Sequence, residues 1–117
     1  MIHRDIKPGN ILLEKKTGRA KISDFGLARV VDKSDVARPE LLAGTPEYMA
    51  PEQARGEAVD HRSDLFSLGS VLYAMCAGKT PFSAASTRAV ISSVADAAVD
   101  DVSLLSSETP DWLVDVI

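Results

Sequence analysis

The feature that most limits what this chain can fold into is an apolar run near its middle. Leu65, Phe66, Leu68, Val71, Leu72, Tyr73, Met75 and Cys76 would occupy nearly the whole perimeter of a helix. A helix that is apolar on every side has to be surrounded by protein. Whatever the chain builds therefore packs around this segment. Ser63 is expected to cap it, Asp64 lies in its first turn, and Gly78 supplies the stop. The run Leu65–Gly78 is 14 residues long and is interrupted by Ser67 and Ser70. A membrane span needs about 20 predominantly apolar residues, so a core helix is the reading.

The remaining elements are arranged around that helix. Ile11-Leu12-Leu13 runs into the polar break Glu14-Lys15-Lys16-Thr17-Gly18, after which Ala20 to Ser23 alternates with period two. Two short strands joined by a turn are expected. Periodicity vanishes from Asp24 to about Met49, where Gly26, Pro39, Gly44 and Pro46 punctuate the chain. A loop of that length inside a compact domain is usually functional. Pro51 opens a short helix through Arg55, and Gly56 stops it. Pro81-Phe82 closes the central unit. A weaker helix is expected from Ser86 to about Ala98, a loop over Ser103–Ser107, and a last helix beginning at Thr109-Pro110-Asp111 that is cut off at Ile117. The fold class read from this pattern is mainly α with a small β-hairpin.

Bulk properties exclude more than they assign. A chain of 117 residues, 45% apolar and 26% charged, has the makings of one globular domain with a modest core. Its net charge of −4, with no basic cluster, argues against a nucleic-acid partner. The single cysteine, Cys76, allows no internal disulfide and no Cys-based zinc site. It is expected to be a small buried hydrophobe in a reducing, cytoplasmic compartment. The start, Met1-Ile2-His3-Arg4-Asp5, lacks the layout of a secretory signal.

The chemistry is concentrated in three short motifs. His3-Arg4-Asp5-Ile6-Lys7-Pro8-Gly9-Asn10 places a carboxylate, an ammonium and a carboxamide on one tight loop. Asp5 and Asn10, five positions apart, can address one centre from different sides. Five fixed positions at roughly one in twenty each would arise by chance about 3 times in 10 million start sites. Asp24-Phe25-Gly26 follows the second strand, and Ala50-Pro51-Glu52 comes 26 residues after Asp24. In this order the three motifs resemble the signature set of the eukaryotic-type (Hanks-type) serine/threonine protein kinases. The wording from Gly44 to Gly56 is closest to the bacterial members. The resemblance is clear from Ile2 to about Phe82 and only general beyond Ser83, apart from the helix start near Trp112.

The resemblance implies an activity and a set of roles: transfer of the ATP γ-phosphate to Ser or Thr hydroxyls of protein substrates, with ATP and Mg2+ as cofactors. Asp5 would accept the substrate hydroxyl's proton, and Lys7 would neutralise charge on the moving phosphoryl group. Asn10 and Asp24 would ligate magnesium, and Leu12 would floor the adenine site. Thr45 is the expected hydrogen-bond partner of Lys7. His3 and Phe25 would stack in the hydrophobic column, with Gly26 completing the metal motif. Asp64 would bind backbone amides of the catalytic loop, although a carboxylate in a helix's first turn also simply suits the helix dipole. Arg4 implies control by phosphorylation of the Asp24–Glu52 segment, because an arginine there needs an anion. Ser34 is the favoured acceptor and is equally open to being an unmodified turn residue. His61 is expected to be an exposed loop residue.

The architecture implied is the C-terminal lobe portion of a bilobal α+β kinase fold, with residues 1–117 as a partial domain. No Gly-x-Gly-x-x-Gly phosphate loop occurs in the chain. The N-terminal lobe, the end of the domain and the arginine expected to pair with Glu52 are all expected to be missing. The chain alone is therefore expected to be catalytically inactive and poorly soluble or only partly folded. Two other readings stand beside this one. A non-catalytic kinase-like binding or regulatory module would need no phosphate loop, and a small-molecule phosphotransferase would not be expected to carry the Gly44–Glu52 segment.

Overall fold

In the computed structural model of the chain, residues 1–24, 45–97, 99 and 108–117 are described. Phe25, Gly26, Ser34 and Gly44, and the loop expected over Ser103–Ser107, lie outside the described residues.

The N-terminal loop enters a single 3-10 turn, Pro8–Asn10, which leads directly into strand β1 (Ile11–Leu13). Strand β2 (Ala20–Ile22) returns antiparallel, with Ile11 opposite Ile22 and Leu13 opposite Ala20. The turn between them closes through Gly18 N to Glu14 O at 2.8 Å, and Gly18 takes the left-handed φ of 68° that glycine tolerates best. At the open end the ladder gains one more bond, Ser23 N to Asn10 O at 2.8 Å. That bond brings Asp24 beside the end of the catalytic loop, so the hairpin register sets the site.

A second 3-10 turn, Pro46–Tyr48, precedes helix α1 (Pro51–Ala54), which Pro51 starts as expected. Helix α2 (His61–Ala77) follows and ends at Gly78, whose φ of 69° is the left-handed cap anticipated for it. Its start differs from expectation. The cap is Asp60, whose extended backbone lets its carboxylate accept from Arg62 N at 2.7 Å. Ser63 lies inside the first turn with its side chain fully buried, and exposed His61 opens the helix rather than sitting in the preceding loop.

The burial of α2 is uneven. Ser63, Ser67 and Ser70, spaced to share one face, are buried together with Val71 and Tyr73. Small side chains let that face approach its neighbours closely, and Ser67 Oγ satisfies itself by donating to Ser63 O at 3.0 Å. Leu65, Leu68 and Met75 remain 62%, 39% and 75% exposed, so the apolar perimeter is covered on one side only. Cys76 is half-buried rather than buried.

Helix α3 (Thr87–Asp96) is capped by Ser86 Oγ, which accepts from Ala89 N, and it buries Val90 and Val94. These two meet Met49 and Phe82 in the main core, with Ala54 and Phe66 packed against it. Phe66 and Phe82 stack with ring centres 6.0 Å apart, linking α2 to the segment after it. Helix α4 (Asp111–Val114) starts after Pro110, where the sequence places it. Among the described residues, no helix is long and apolar enough to cross a membrane.

Candidate active site

The loop ahead of the hairpin holds an unusual backbone. Arg4 has φ of 67°, left-handed for a residue with a long side chain. Such a conformation costs about 1–3 kcal/mol and persists only where its surroundings enforce it. Asp64, in the first turn of α2, supplies the enforcement. Its Oδ2 accepts from His3 N and its Oδ1 from Arg4 N, both at 2.8 Å. Gln53 of α1 holds the next group, donating from Nε2 to Arg4 O at 3.2 Å while its Oε1 accepts from Ala50 N at 3.0 Å. His3, almost fully buried, ties the loop to the hairpin. Its Nδ1 accepts from Asp5 N at 3.3 Å, which leaves Nε2–H to donate to Ser23 O at 3.1 Å.

This support presents the chemical groups together. Asn10 is buried, and its Nδ2 donates both to Asp5 O at 2.8 Å and to Asp5 Oδ2 at 3.0 Å. Lys7 Nζ lies 2.9 Å from the same Asp5 Oδ2. One oxygen of Asp5 is thus held by a cation and an amide, while Oδ1 takes no bond from the described residues. A carboxylate fixed in this way is oriented towards an incoming hydroxyl. Asn10 has both amide protons engaged, so its remaining polar atom, Oδ1, is an acceptor with no partner among the described residues.

Asp24 follows Ser23 and is exposed, with φ of 63°. The Ser23–Asn10 bond puts its backbone next to Asn10 across the mouth of the hairpin. An amide oxygen and a carboxylate are hard donors of the kind magnesium takes. Among the described residues no group of three His, Cys, Asp or Glu is placed to hold a metal. A cation held by Asn10 and Asp24 would thus complete its shell with water or phosphate oxygens, which is how magnesium is usually held. Leu12 lies on β1, opposite Lys21, and is 55% exposed.

Two expected contacts differ. Lys7 meets Asp5, not Thr45, which instead precedes the second 3-10 turn and accepts from Tyr48 N through its carbonyl at 3.1 Å. Glu52 is not left without a partner: Ser63 Oγ donates to its Oε1. Ser63 and Gln53 were missed as functional supports. The available signal was the spacing Ala50 to Gln53, in which a side chain three residues into a helix reaches back to its entry. The Nε of Arg4 is buried and meets no hydrogen-bond partner among the described residues. Tyr48 has its hydroxyl pKa raised, first by burial and then by the neighbouring Glu47 carboxylate.

Comparison with known proteins agrees with this geometry. A family profile described as the protein kinase domain matches residues 1–113. The chain is 50% identical over 92 residues to a probable serine/threonine-protein kinase PknB of Bifidobacterium longum, covering 77% of this chain and 13% of that protein. It is 42% identical over 118 residues to the DNA damage-responsive serine/threonine-protein kinase RqkA of Deinococcus radiodurans, covering 100% of this chain and 18% of the relative. Serine/threonine-protein kinase PknA of Mycobacterium tuberculosis is 49% identical over 82 residues, 70% of this chain and 19% of its own length. The chain thus spans less than a fifth of these relatives.

Proposed function

Because the chain belongs to the protein kinase family, we propose that it carries the phosphoryl-transfer centre of a serine/threonine protein kinase, as part of the C-terminal lobe of that fold. The observation that supports this reading is the doubly held Asp5 carboxylate, gripped by Asn10 and Lys7, with Asn10 bonded to Ser23, the residue before Asp24. Its substrates are ATP and a protein bearing a Ser or Thr hydroxyl. Asp5 Oδ1 accepts the hydrogen bond from that hydroxyl and takes its proton as the oxygen forms its bond to the γ-phosphorus. The bond from the γ-phosphorus to the bridging oxygen breaks, and ADP leaves with that electron pair. Lys7, paired with Asp5, offsets negative charge on the phosphoryl group in flight.

Asn10 Oδ1 and the Asp24 carboxylate would hold magnesium, and Leu12 would contribute to the floor under the adenine. Magnesium, when bound, neutralises charge on the phosphates and orients them. The buried Arg4 Nε takes the phosphate of a modified residue in the segment between Asp24 and Glu52. Ser34 is the favoured acceptor, since Thr45 is half-buried. The reading places the centre in the cytoplasm, where ATP is supplied. The 117 residues contain no Gly-x-Gly-x-x-Gly loop and no strand lysine for the α- and β-phosphates, so by themselves they hold magnesium–ATP without turning it over.

Calorimetric titration of magnesium–ATP into the chain, with Asp24→Asn as control, tests this reading. Saturable binding that Asp24→Asn abolishes is expected. Absence of binding, or binding indifferent to Asp24→Asn, would overturn it and leave a non-catalytic binding module as the better account.

A further inference from the structure

Gln53 holds more than the start of its own helix. Its Oε1 accepts from Ala50 N at 3.0 Å, and its Nε2 donates to Arg4 O at 3.2 Å. Only one orientation of a carboxamide satisfies both, since its oxygen accepts and its nitrogen donates. The two partners come from distant parts of the chain. Ala50 is fully buried at the entry to α1 and follows Met49, a member of the main core. Arg4 O belongs to the peptide unit that also carries Asp5 N, and such a unit is planar. Its opposite edge is held too, because Asp5 N donates to His3 Nδ1 at 3.3 Å. A flat unit pinned along both edges resists turning about the line between its two Cα atoms. The Asp5 side chain leaves from one of those atoms.

We propose that Gln53 is a positioning residue for Asp5. By pinning the Arg4–Asp5 peptide to the core-anchored start of α1, it sets the direction in which the Asp5 carboxylate faces an incoming hydroxyl. The inference rests on the phosphoryl-transfer reading for the task of Asp5. Its own content lies in the kind of side chain that the position demands. An ionised carboxylate there would accept from Ala50 N and offer nothing to Arg4 O, whereas a lysine or arginine would donate without accepting. An aliphatic side chain would do neither. The strain at Arg4, with φ of 67°, makes the outside hold matter. A residue in that region stays there only where its surroundings enforce it. Among the described residues, the side chains from outside the loop that hold the Arg4 backbone are Asp64 at its N–H and Gln53 at its carbonyl. Asp64 acts before the strained residue and Gln53 after it, on the Asp5 side.

The test is NMR-detected hydrogen exchange on the chain with Gln53→Glu and Gln53→Met. Gln53→Glu keeps the acceptor for Ala50 N and loses the donor to Arg4 O. Gln53→Met loses both without adding charge. In both variants exchange at Asp5 N is expected to quicken about two- to tenfold, the scale of one neutral hydrogen bond. The side-chain amide of Asn10, which donates to Asp5 Oδ2 at 3.0 Å, should change its resonance in both. Ala50 N should lose protection in Gln53→Met alone. A residue that merely starts α1 would leave the Asp5 and Asn10 signals untouched in Gln53→Glu, and that result would overturn the proposal. So would a response confined to Gln53→Glu, which would trace to its charge. The parent supplies a check that needs no variant to fold: its Gln53 Nε2 protons should exchange more slowly than those of free glutamine, and equal rates would also overturn the proposal. Magnesium–ATP titration of the parent separates the two readings. If Asp24-dependent binding is present and Asp5 N ignores both variants, the positioning role fails and the phosphoryl-transfer reading stands. Absence of that binding overturns the phosphoryl-transfer reading and with it the task assigned to Asp5, whatever Asp5 N does.

Discussion

Asp64→Asn tests how much of the catalytic loop is imposed from outside it. The parent carboxylate accepts from His3 N and Arg4 N, each at 2.8 Å, and these bonds hold Arg4 at φ of 67°. A hydrogen bond to a charged group contributes about 1.5–3 kcal/mol and a neutral one about 0.5–1.5 kcal/mol. The asparagine keeps one acceptor oxygen, now neutral, and turns an NH2 group towards the other amide, which loses its bond. The expected cost is therefore about 2–4 kcal/mol, part of which appears as relaxation of the strained Arg4 backbone. The assay is residue-resolved hydrogen exchange. With a tenfold change per 1.4 kcal/mol, protection at His3 N and Arg4 N should fall roughly 30- to 1,000-fold. Gly18 N, which bonds to Glu14 O at 2.8 Å in the hairpin turn and shares no partner with Asp64, is the internal control. Protection at both loop amides within threefold of the parent would refute the reasoning and return Asp64 to the role of a first-turn carboxylate serving only the helix dipole.

Two further predictions concern the groups around that loop. Ser63→Ala removes the hydroxyl that donates to Glu52 Oε1; it should lower stability in urea by about 1–3 kcal/mol, and Glu52→Gln in the same background should recover part of the loss. An unchanged midpoint would show that water serves Glu52 equally well. The Tyr48 hydroxyl, with its pKa raised above the ordinary 10.0 by burial and then by Glu47, binds its proton more tightly folded than unfolded. Its contribution to stability is therefore full below about pH 10 and is lost as pH rises through the folded-state value. Denaturation against pH should steepen above 10 in the parent and flatten in Tyr48→Phe, and identical profiles would exclude this assignment.

Much of the fold was legible because local signals and tertiary needs coincide. Gly18 and Gly78 stand where left-handed turns fall, Pro51 and Pro110 stand at helix starts, and the alternation after Gly18 matches the second strand. The start of α2 was misplaced because Asp60 and Ser63 are equally good caps by residue type, and only tertiary demand separates them. Glu52 needs a donor, Ser63 supplies it, and Asp60 is left to cap. The apolar perimeter of α2 was visible, but which side faces inward was not. Leucines and a methionine advertise burial more strongly than serines, yet Ser63, Ser67 and Ser70 lie on the buried face while Leu65, Leu68 and Met75 stay exposed. That Asp5 and Asn10 address one place was legible from their spacing, and the Asn10 amide does bond Asp5. The Lys7–Thr45 bond that the resemblance implied is replaced by an ion pair within the loop, Lys7 Nζ lying 2.9 Å from Asp5 Oδ2.

The arrangement divides labour between the two sides of one loop. Asp64 and Gln53 grip its backbone at His3 and Arg4 from α2 and α1, and the Ser23 carbonyl of the hairpin takes the His3 ring. Asp5, Lys7 and Asn10 grip one another on the other side and leave Asp5 Oδ1 and Asn10 Oδ1 without partners among the described residues. A loop held only by its own reactive groups would have to spend those oxygens on its structure. The outside supports spare them, at the expense of a strained Arg4 and a buried Arg4 Nε without an acceptor among the described residues. The two classes should therefore separate experimentally. Changes on the gripping side should loosen the loop and weaken magnesium–ATP binding together, whereas Asp5→Asn should remove the proton acceptor while leaving the protection of His3 N and Arg4 N intact.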